Sequence, residues 1–441
     1  MVFIFLHAFR PSITIANDTM MSMSVWFKKS SPIVAQISAN VLFQLAGKIV
    51  GAGTTFFITL YLARLLGPYG YGDIVKVITY VSAFFIIADF GFNAVYLVDS
   101  QKSYTLSSLF LLRLAWSLVL LIIAYAFLRF LPIGVYDGYT TAVRLGIFLY
   151  APSIIFQSII TTANAVFQKY LRYDYSFYAV SLGSFVGLVS LYVLSRVPYS
   201  PSFIGAGVYL SASLSTALVA FFYMRRLENI STRYRFSYMK KLFVTSLPIG
   251  ITLVANLFYA HADSFVLTLT RSTAEVGTYG FAYRFFETLL VVPTFIMNAS
   301  YPVLLASKKR SVVSFMNQYR KLFTSMIILS ITIAVGVWFM APLLSIVRPE
   351  FIESSNFIRI LVLSLPLFFL SSLVMWMLLV FNKRWELAFI YAIAMVINIG
   401  ANVLLVPIHG ARASAWITLC SEALVLAATY SVLWAAWREN S

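Results

Sequence analysis

Apolar segments long enough to cross a membrane recur along the chain from Val41 to Trp437, separated by short polar or basic intervals, and no interval is large enough to hold a soluble domain. The pattern predicts helices over residues 40–63, 72–98, 105–129, 142–167, 176–195, 203–224, 242–269, 277–306, 322–347, 356–381, 386–407 and 413–437. A span takes about 20 apolar residues plus a short turn, so a chain of 441 residues accommodates twelve. The expected fold class is an all-α polytopic membrane protein. The recurrence excludes a single-span or peripheral protein.

Composition agrees: 61% of the residues are hydrophobic and 11% charged, against about 45–50% apolar and about 25% charged in soluble domains. The net charge of +17 is spread over short runs between apolar segments, so no nucleic-acid partner is expected. Its distribution instead suggests an orientation. With the N-terminus inside, the inner side holds Lys28, Lys29, Lys102, Lys169, Arg172, the run from Arg225 to Lys241 with Arg233, Lys308 to Arg310, Lys383, Arg384 and Arg438. The outer side holds mostly single residues, among them Arg64, Arg129, Arg196 and Arg271. Under the positive-inside rule this places both termini in the cytoplasm of a multi-pass cell-membrane protein.

The one cysteine, Cys420, lies in an apolar segment and the three histidines are far apart, so neither a disulfide framework nor a metal site is expected. Residues 1–30 hold a short apolar start, then Arg10, Pro11 and Lys28-Lys29, without the h-region of a signal peptide. Met20, Met21 and Met23, just before the first strong helix, are alternative starts to Met1.

The longest basic interval, Met224 to Lys241, divides the helices six and six. The expected organisation is a cytoplasmic N-terminal segment 1–39, a first lobe 40–224, a basic cytoplasmic linker 225–241, a second lobe 242–437 and a tail 438–441. Gly72 is read as opening helix two, and Asn93-Ala94-Val95-Tyr96 follows 21 residues later. Gly277 is read as opening helix eight, and Asn298-Ala299-Ser300-Tyr301 follows at the same offset of 21, displaced by 205 residues from the first copy. Both helices run from outside to inside, so the repeat is parallel, as in carriers whose two lobes flank a central cleft.

Several motifs carry a family resemblance. Arg64-Leu65-Leu66-Gly67-Pro68-Tyr69-Gly70-Tyr71-Gly72, Asp89-Phe90-Gly91-Phe92, Leu247-Pro248-Ile249-Gly250 with Asp263, and Val276-Gly277 followed by Tyr279 and Ala282-Tyr283-Arg284 occur in that order. Tyr301-Pro302-Val303-Leu304, Asn398 and Asn402 leading to Leu404-Leu405-Val406-Pro407, His409-Gly410, then Ala411, Ala413, Ala415 and Glu422 complete the series. Together they resemble the Wzx-like polysaccharide flippases of the MOP superfamily over about residues 40–425. Arg412 and Ser414 depart from that family's Gly-Ala-Ala turn. The resemblance implies two six-helix lobes of MATE/MOP type.

An ionisable side chain at bilayer depth costs at least ~2.5–3.5 kcal/mol on insertion scales, which singles out eight residues. Lys48, about 12 Å along the first helix and flanked by Gly47, Gly51 and Gly53, reads as a cavity residue or a structural pair. Lys76, one turn into the second, is functional or snorkels. Arg113, about 10 Å into the third, faces the cleft or reaches lipid phosphates. Arg284 and Glu287 share a helix face and can neutralise each other, yet Arg284 falls in the A-Y-R segment of the resemblance and a guanidinium grips phosphate bidentately. Asp263 lies within reach of Arg284 as a partner, or serves as a proton or cation site. Asp89 and Glu422 are helix–helix partners or coupling sites.

Lys48, Lys76, Arg113 and Arg284 are thus the candidates for cargo phosphate or sugar, and Asp89, Asp263, Glu287 and Glu422 those for ion coupling or charge pairing. Four bases against four acids leave the sign of the cargo open. The 27 tyrosines and 39 phenylalanines read mostly as lipid-facing and interfacial residues.

Gly47-Lys48 does not complete a phosphate loop, because Leu42 and Ile49 occupy the required Gly and Ser/Thr positions. ATP hydrolysis and other enzymatic chemistry are not expected, and no cofactor is expected. The resemblance implies alternating-access export of a polyprenyl-(di)phosphate-linked oligosaccharide, with that lipid-linked sugar, membrane lipids and polysaccharide assembly proteins as partners. The rivals are a MATE-type multidrug or cation antiporter and, more remotely, a membrane glycosyltransferase or ligase.

Overall fold

The computed structural model describes residues 32–99, 104–134, 137–230 and 234–440. The expectations for residues 1–31, with Met20, Met21, Met23, Lys28 and Lys29, and those for Lys102 and Arg233, lie outside the described residues.

Among the described residues there is no strand, and eleven helical segments are long and apolar enough to cross a membrane. In hydrocarbon every backbone polar group needs an internal partner, which only helices supply within one segment. The first segment, Asn40–Leu97, has 58 residues, about 87 Å if straight, where about 30 Å suffices. It turns at Gly67, whose φ of 68° and ψ of −178° interrupt the helix. Glycine adopts a positive φ without a Cβ penalty, and Pro68 restarts the helix where a missing N–H costs nothing. The two arms, α1 (32–66) and α2 (68–89), lie side by side: Phe56 of one touches Phe285, and Val75 of the other abuts Gly280. The segment therefore supplies two crossings, making twelve.

The second span continues as α3 (Phe92–Asp99), and α4 (Thr105–Phe130) forms the third. The fourth combines α5 (Thr141–Tyr150) and α6 (Ser153–Lys169), interrupted at Ala151-Pro152; α7 (Tyr173–Leu194) and α8 (Pro201–Leu227) complete the first lobe. The second lobe comprises α9 (Phe236–Thr270), α10 (Thr273–Arg310), α11 (Val312–Met340) with α12 (Leu344–Val347), α13 (Ile352–Leu363) with α14 (Leu365–Val380), α15 (Arg384–His409) and α16 (Ala411–Asn440).

Several boundaries differ from the hydropathy pattern. That pattern predicts a loop at Arg64–Tyr71, yet Gly67 alone leaves the helix, and α2 and α10 begin four residues before Gly72 and Gly277. The helices reach into the basic interval from both sides, α8 running to Leu227 and α9 starting at Phe236, with Arg225, Arg226, Lys240 and Lys241 on helix ends. Hydropathy marks only the part of a helix within the apolar slab; backbone hydrogen bonding carries the helix past it.

Within the first lobe, Gly183 of α7 lies close to Ala212 and Thr216 of α8, and Gly47 and Gly51 of α1 face Phe177 and Val180 of α7. Small residues allow this close approach. The lobes meet along a seam in which α10 packs on α1 and α2, while the first half of α9 packs on α2, α3 and α4. At the Gly91 end the contact is aromatic: the Phe90 and Phe243 rings stack at 5.1 Å, and Trp116 meets Phe243 at 5.5 Å.

Candidate functional site

Arg284 stands on α10 in the seam. Its Nη1 donates to Glu287 Oε2 at 3.0 Å, and the two side chains are 31% and 30% exposed. This is the only hydrogen bond of the guanidinium among the described residues, so most of the five-donor fork is free. Its other electrostatic neighbours, Tyr71, Tyr150 and Tyr209, come from three first-lobe elements, α2, α5 and α8. Lys48 of α1 also borders the seam, exposed, with its Nζ 5.4 Å from the Phe295 ring of α10. Phe295 is eleven residues beyond Arg284 on α10, about 16 Å along the helix, so the two cations occupy different depths.

Arg113 is a different kind of cation. It is 1% exposed and donates to Asn93 Oδ1 at 2.8 Å, Thr162 Oγ1 at 3.3 Å, and the Asp89 carbonyl and Oδ1 at 3.3 and 3.1 Å. These partners tie α2, α3 and α6 to α4, and the guanidinium has little left to offer a cargo. Lys76 also departs from expectation. It is fully buried rather than snorkelling, donates to Thr273 Oγ1 of α10 at 2.5 Å, and lies 3.6 Å from Asp73.

The acids separate by pairing. Asp89 and Glu287 each hold an arginine. Asp263 and Glu422 form no ion pair with a lysine or arginine among the described residues, although they are only 4% and 2% exposed. Sequence spacing predicts Asp263 within reach of Arg284, but instead Tyr279 Oη donates to its Oδ2 at 2.5 Å and the Ser264 amide to its Oδ1 at 2.6 Å. Tyr259 Oη donates to Glu422 Oε2 at 3.1 Å. Both carboxylates line one second-lobe cavity of about 260 Å³, with Asn256, Tyr259, Tyr283 and Asn398 on its walls. From that wall, Asn398 donates to Ser421, Asn402 to Asn398, and Ser414 to Asn402, so Ser414 ties α16 to α15.

Sequence reasoning missed the tyrosines. Read mostly as lipid-facing and interfacial, Tyr71, Tyr80, Tyr96, Tyr150 and Tyr279 are at most 6% exposed, because a phenol in a bundle buries its ring and keeps a hydroxyl for a polar partner. It also missed Asp73, which the three-residue spacing to Lys76 signals.

A model of the family described as polysaccharide biosynthesis protein matches residues 37–308. The chain belongs to that family. No curated protein sequence matches it. Among solved structures, the polysaccharide biosynthesis chain resembles the lipid II flippase MurJ in an inward closed conformation, at 16% identity and a TM-score of 0.68, covering 89% of this chain and 87% of that one. It also resembles a multidrug resistance MATE family transporter of the MOP superfamily. The inward-facing form matches at 14% identity and a TM-score of 0.63, covering 91% and 96% of the two chains. The outward-facing form matches at 13% and 0.59, covering 95% and 99%. The shared property is the two-lobe MOP fold.

Proposed function

We propose that this member of the polysaccharide biosynthesis family is a flippase that moves a polyprenyl-(di)phosphate-linked oligosaccharide from the cytoplasmic to the outer leaflet by alternating access. Arg284, a partly exposed guanidinium with most of its fork unclaimed in the seam, carries the reading. A phosphate loses its hydration in hydrocarbon and needs a replacement donor, and guanidinium supplies two in parallel. Lys48 supplies a second positive charge at another depth, while the prenyl tail stays in lipid. The lipid II flippase with which the fold is shared carries a cargo of the same kind. A MATE-type antiporter of organic cations fits less well, because such a cargo would meet Arg284 and Lys48 as like charges. Asp263 and Glu422 couple the cycle to a proton or cation, whereas Asp89 and Glu287 pair with arginines. Deleting the gene should leave lipid-linked oligosaccharide on the inner leaflet; unchanged leaflet distribution and surface polysaccharide would end this reading.

The proposed orientation has both termini in the cytoplasm of the cell membrane, a first lobe 40–224, a basic cytoplasmic linker 225–241, a second lobe 242–437 and a tail 438–441. Single cysteines in a Cys420→Ser background should react with an impermeant thiol reagent at the exposed Leu65, Tyr69, Glu350 and Ile352 but not in Met224–Lys241, where Arg225, Tyr234 and Lys240 are exposed. Labelling of that last interval in intact cells would reverse the orientation.

A further inference from the structure

The 205-residue repeat meets itself at the Gly67 end of the seam. A Cβ on Gly72 would lie 2.0 Å from the Thr273 carbonyl oxygen, and one on Gly277 would lie 1.9 Å from the Pro68 carbonyl oxygen. Residues 72 and 277 are one repeat apart, and so are 68 and 273. In a two-fold contact residue i meets j while j meets i, and these backbones satisfy that reciprocity. Val75 and Gly280, also one repeat apart, are 3.4 Å from Cβ to ideal Cβ. The lobes therefore cross at a local two-fold axis, backbone against backbone.

Polar groups bridge the same crossing. Lys76 reaches from α2 to Thr273 Oγ1 at 2.5 Å, and Asp137, just before α5, accepts from the Thr273 amide at 2.5 Å. The first turn of a helix has amides without internal partners, so Asp137 caps a second-lobe helix from the first lobe. Asp73 completes the cluster beside Lys76. At the two glycines the contact is backbone only, and beside them Tyr71 meets Phe281 and Phe351 across the lobes at ring distances of 5.9 and 6.4 Å. The opposite end is held by Phe90, Trp116 and Phe243.

We propose that Gly72, Gly277, Lys76, Thr273 and Asp137 form the outer gate of the transporter, closing on the repeat axis and parting when the seam opens outward. Lys76 is thereby a gate residue and not a ligand of the cargo. The assignment rests on the transport reading and its orientation, but the labelling arm of its test does not require the cargo.

In a Cys420→Ser background, Val75→Cys with Gly280→Cys places two Cβ atoms near the spacing of a disulfide. Oxidation should cross-link the purified protein and stop export in vesicles, and reduction should restore export; export by the cross-linked form at the uncross-linked rate overturns the gate. Thr273→Val keeps shape but deletes the acceptor of Lys76. It should raise thiol labelling of Val75→Cys in purified protein about tenfold, the effect of one lost hydrogen bond of about 1.4 kcal/mol. Gly277→Ala, whose methyl group meets Pro68 backbone, should raise it further. Unchanged labelling in both variants overturns the proposal. The labelling shift, found together with a wild type that moves no lipid-linked sugar in vesicles, would uphold the gate while refuting the cargo.

Discussion

Arg284→Ala should cut export of lipid-linked oligosaccharide by about 100-fold or more, since two charge-assisted hydrogen bonds to phosphate are each worth about 1.5–3 kcal/mol. Arg284→Lys should still lose about tenfold, because a compact ammonium keeps the charge without the planar fork. The decisive variant is double. Glu287 is the one hydrogen-bonding partner of the Arg284 guanidinium among the described residues, so Arg284→Ala alone leaves a carboxylate unpaired at membrane depth and can fail by misfolding. Arg284→Ala with Glu287→Ala removes both charges. A purely structural pair would then regain expression and export together, whereas a phosphate ligand gives a well-expressed, inactive protein. Export by the double variant at near wild-type rate, with expression matched, would falsify the assignment.

The twelve crossings are legible in the sequence because hydrocarbon thickness sets a length that hydropathy measures directly. Helix ends are not, since Arg225 and Lys241 lie on helices that outrun the apolar band. The repeat was legible as Gly72 and Gly277 in one register, and both moved four residues inside their helices without losing it. What the register could not convey is that these glycines touch. Likewise Lys76 and Thr273 are 197 residues apart, and no local spacing pairs them. The charges could be found individually, but their state depends on neighbours: Arg113 is consumed by Asn93, Thr162 and Asp89, while Arg284 is not. The expected approach of Asp263 to Arg284 considered two helices and omitted Tyr279, four residues after Glu275 on α10, whose hydroxyl takes the carboxylate first.

Asp263→Asn combined with Glu422→Gln should abolish the dependence of transport on an imposed ion gradient and slow uphill export at least about tenfold. A buried carboxylate without a counter-charge is costly unless it takes up a proton or a cation. These two, unlike Asp89 and Glu287, have no lysine or arginine partner among the described residues and share one cavity. At about 260 Å³ the space holds an ion with several waters, each of which occupies about 30 Å³ in the liquid. The amides are chosen to preserve the fold. Each keeps a carbonyl oxygen, one for the Tyr259 hydroxyl and one for the Tyr279 hydroxyl, so the main loss is the Ser264 amide bond, worth about 1 kcal/mol. Flipping measured in proteoliposomes under a sodium gradient and, separately, a pH gradient identifies the ion by which gradient drives the wild type. If the double amide variant, folded by thermal-unfolding criteria, still responds to that gradient, the cavity is a satisfied polar core and coupling lies elsewhere. If the response disappears while gradient-free exchange across the bilayer persists, the acids drive the cycle without touching the cargo, and the division of labour between a second-lobe ion cavity and the Arg284 seam stands.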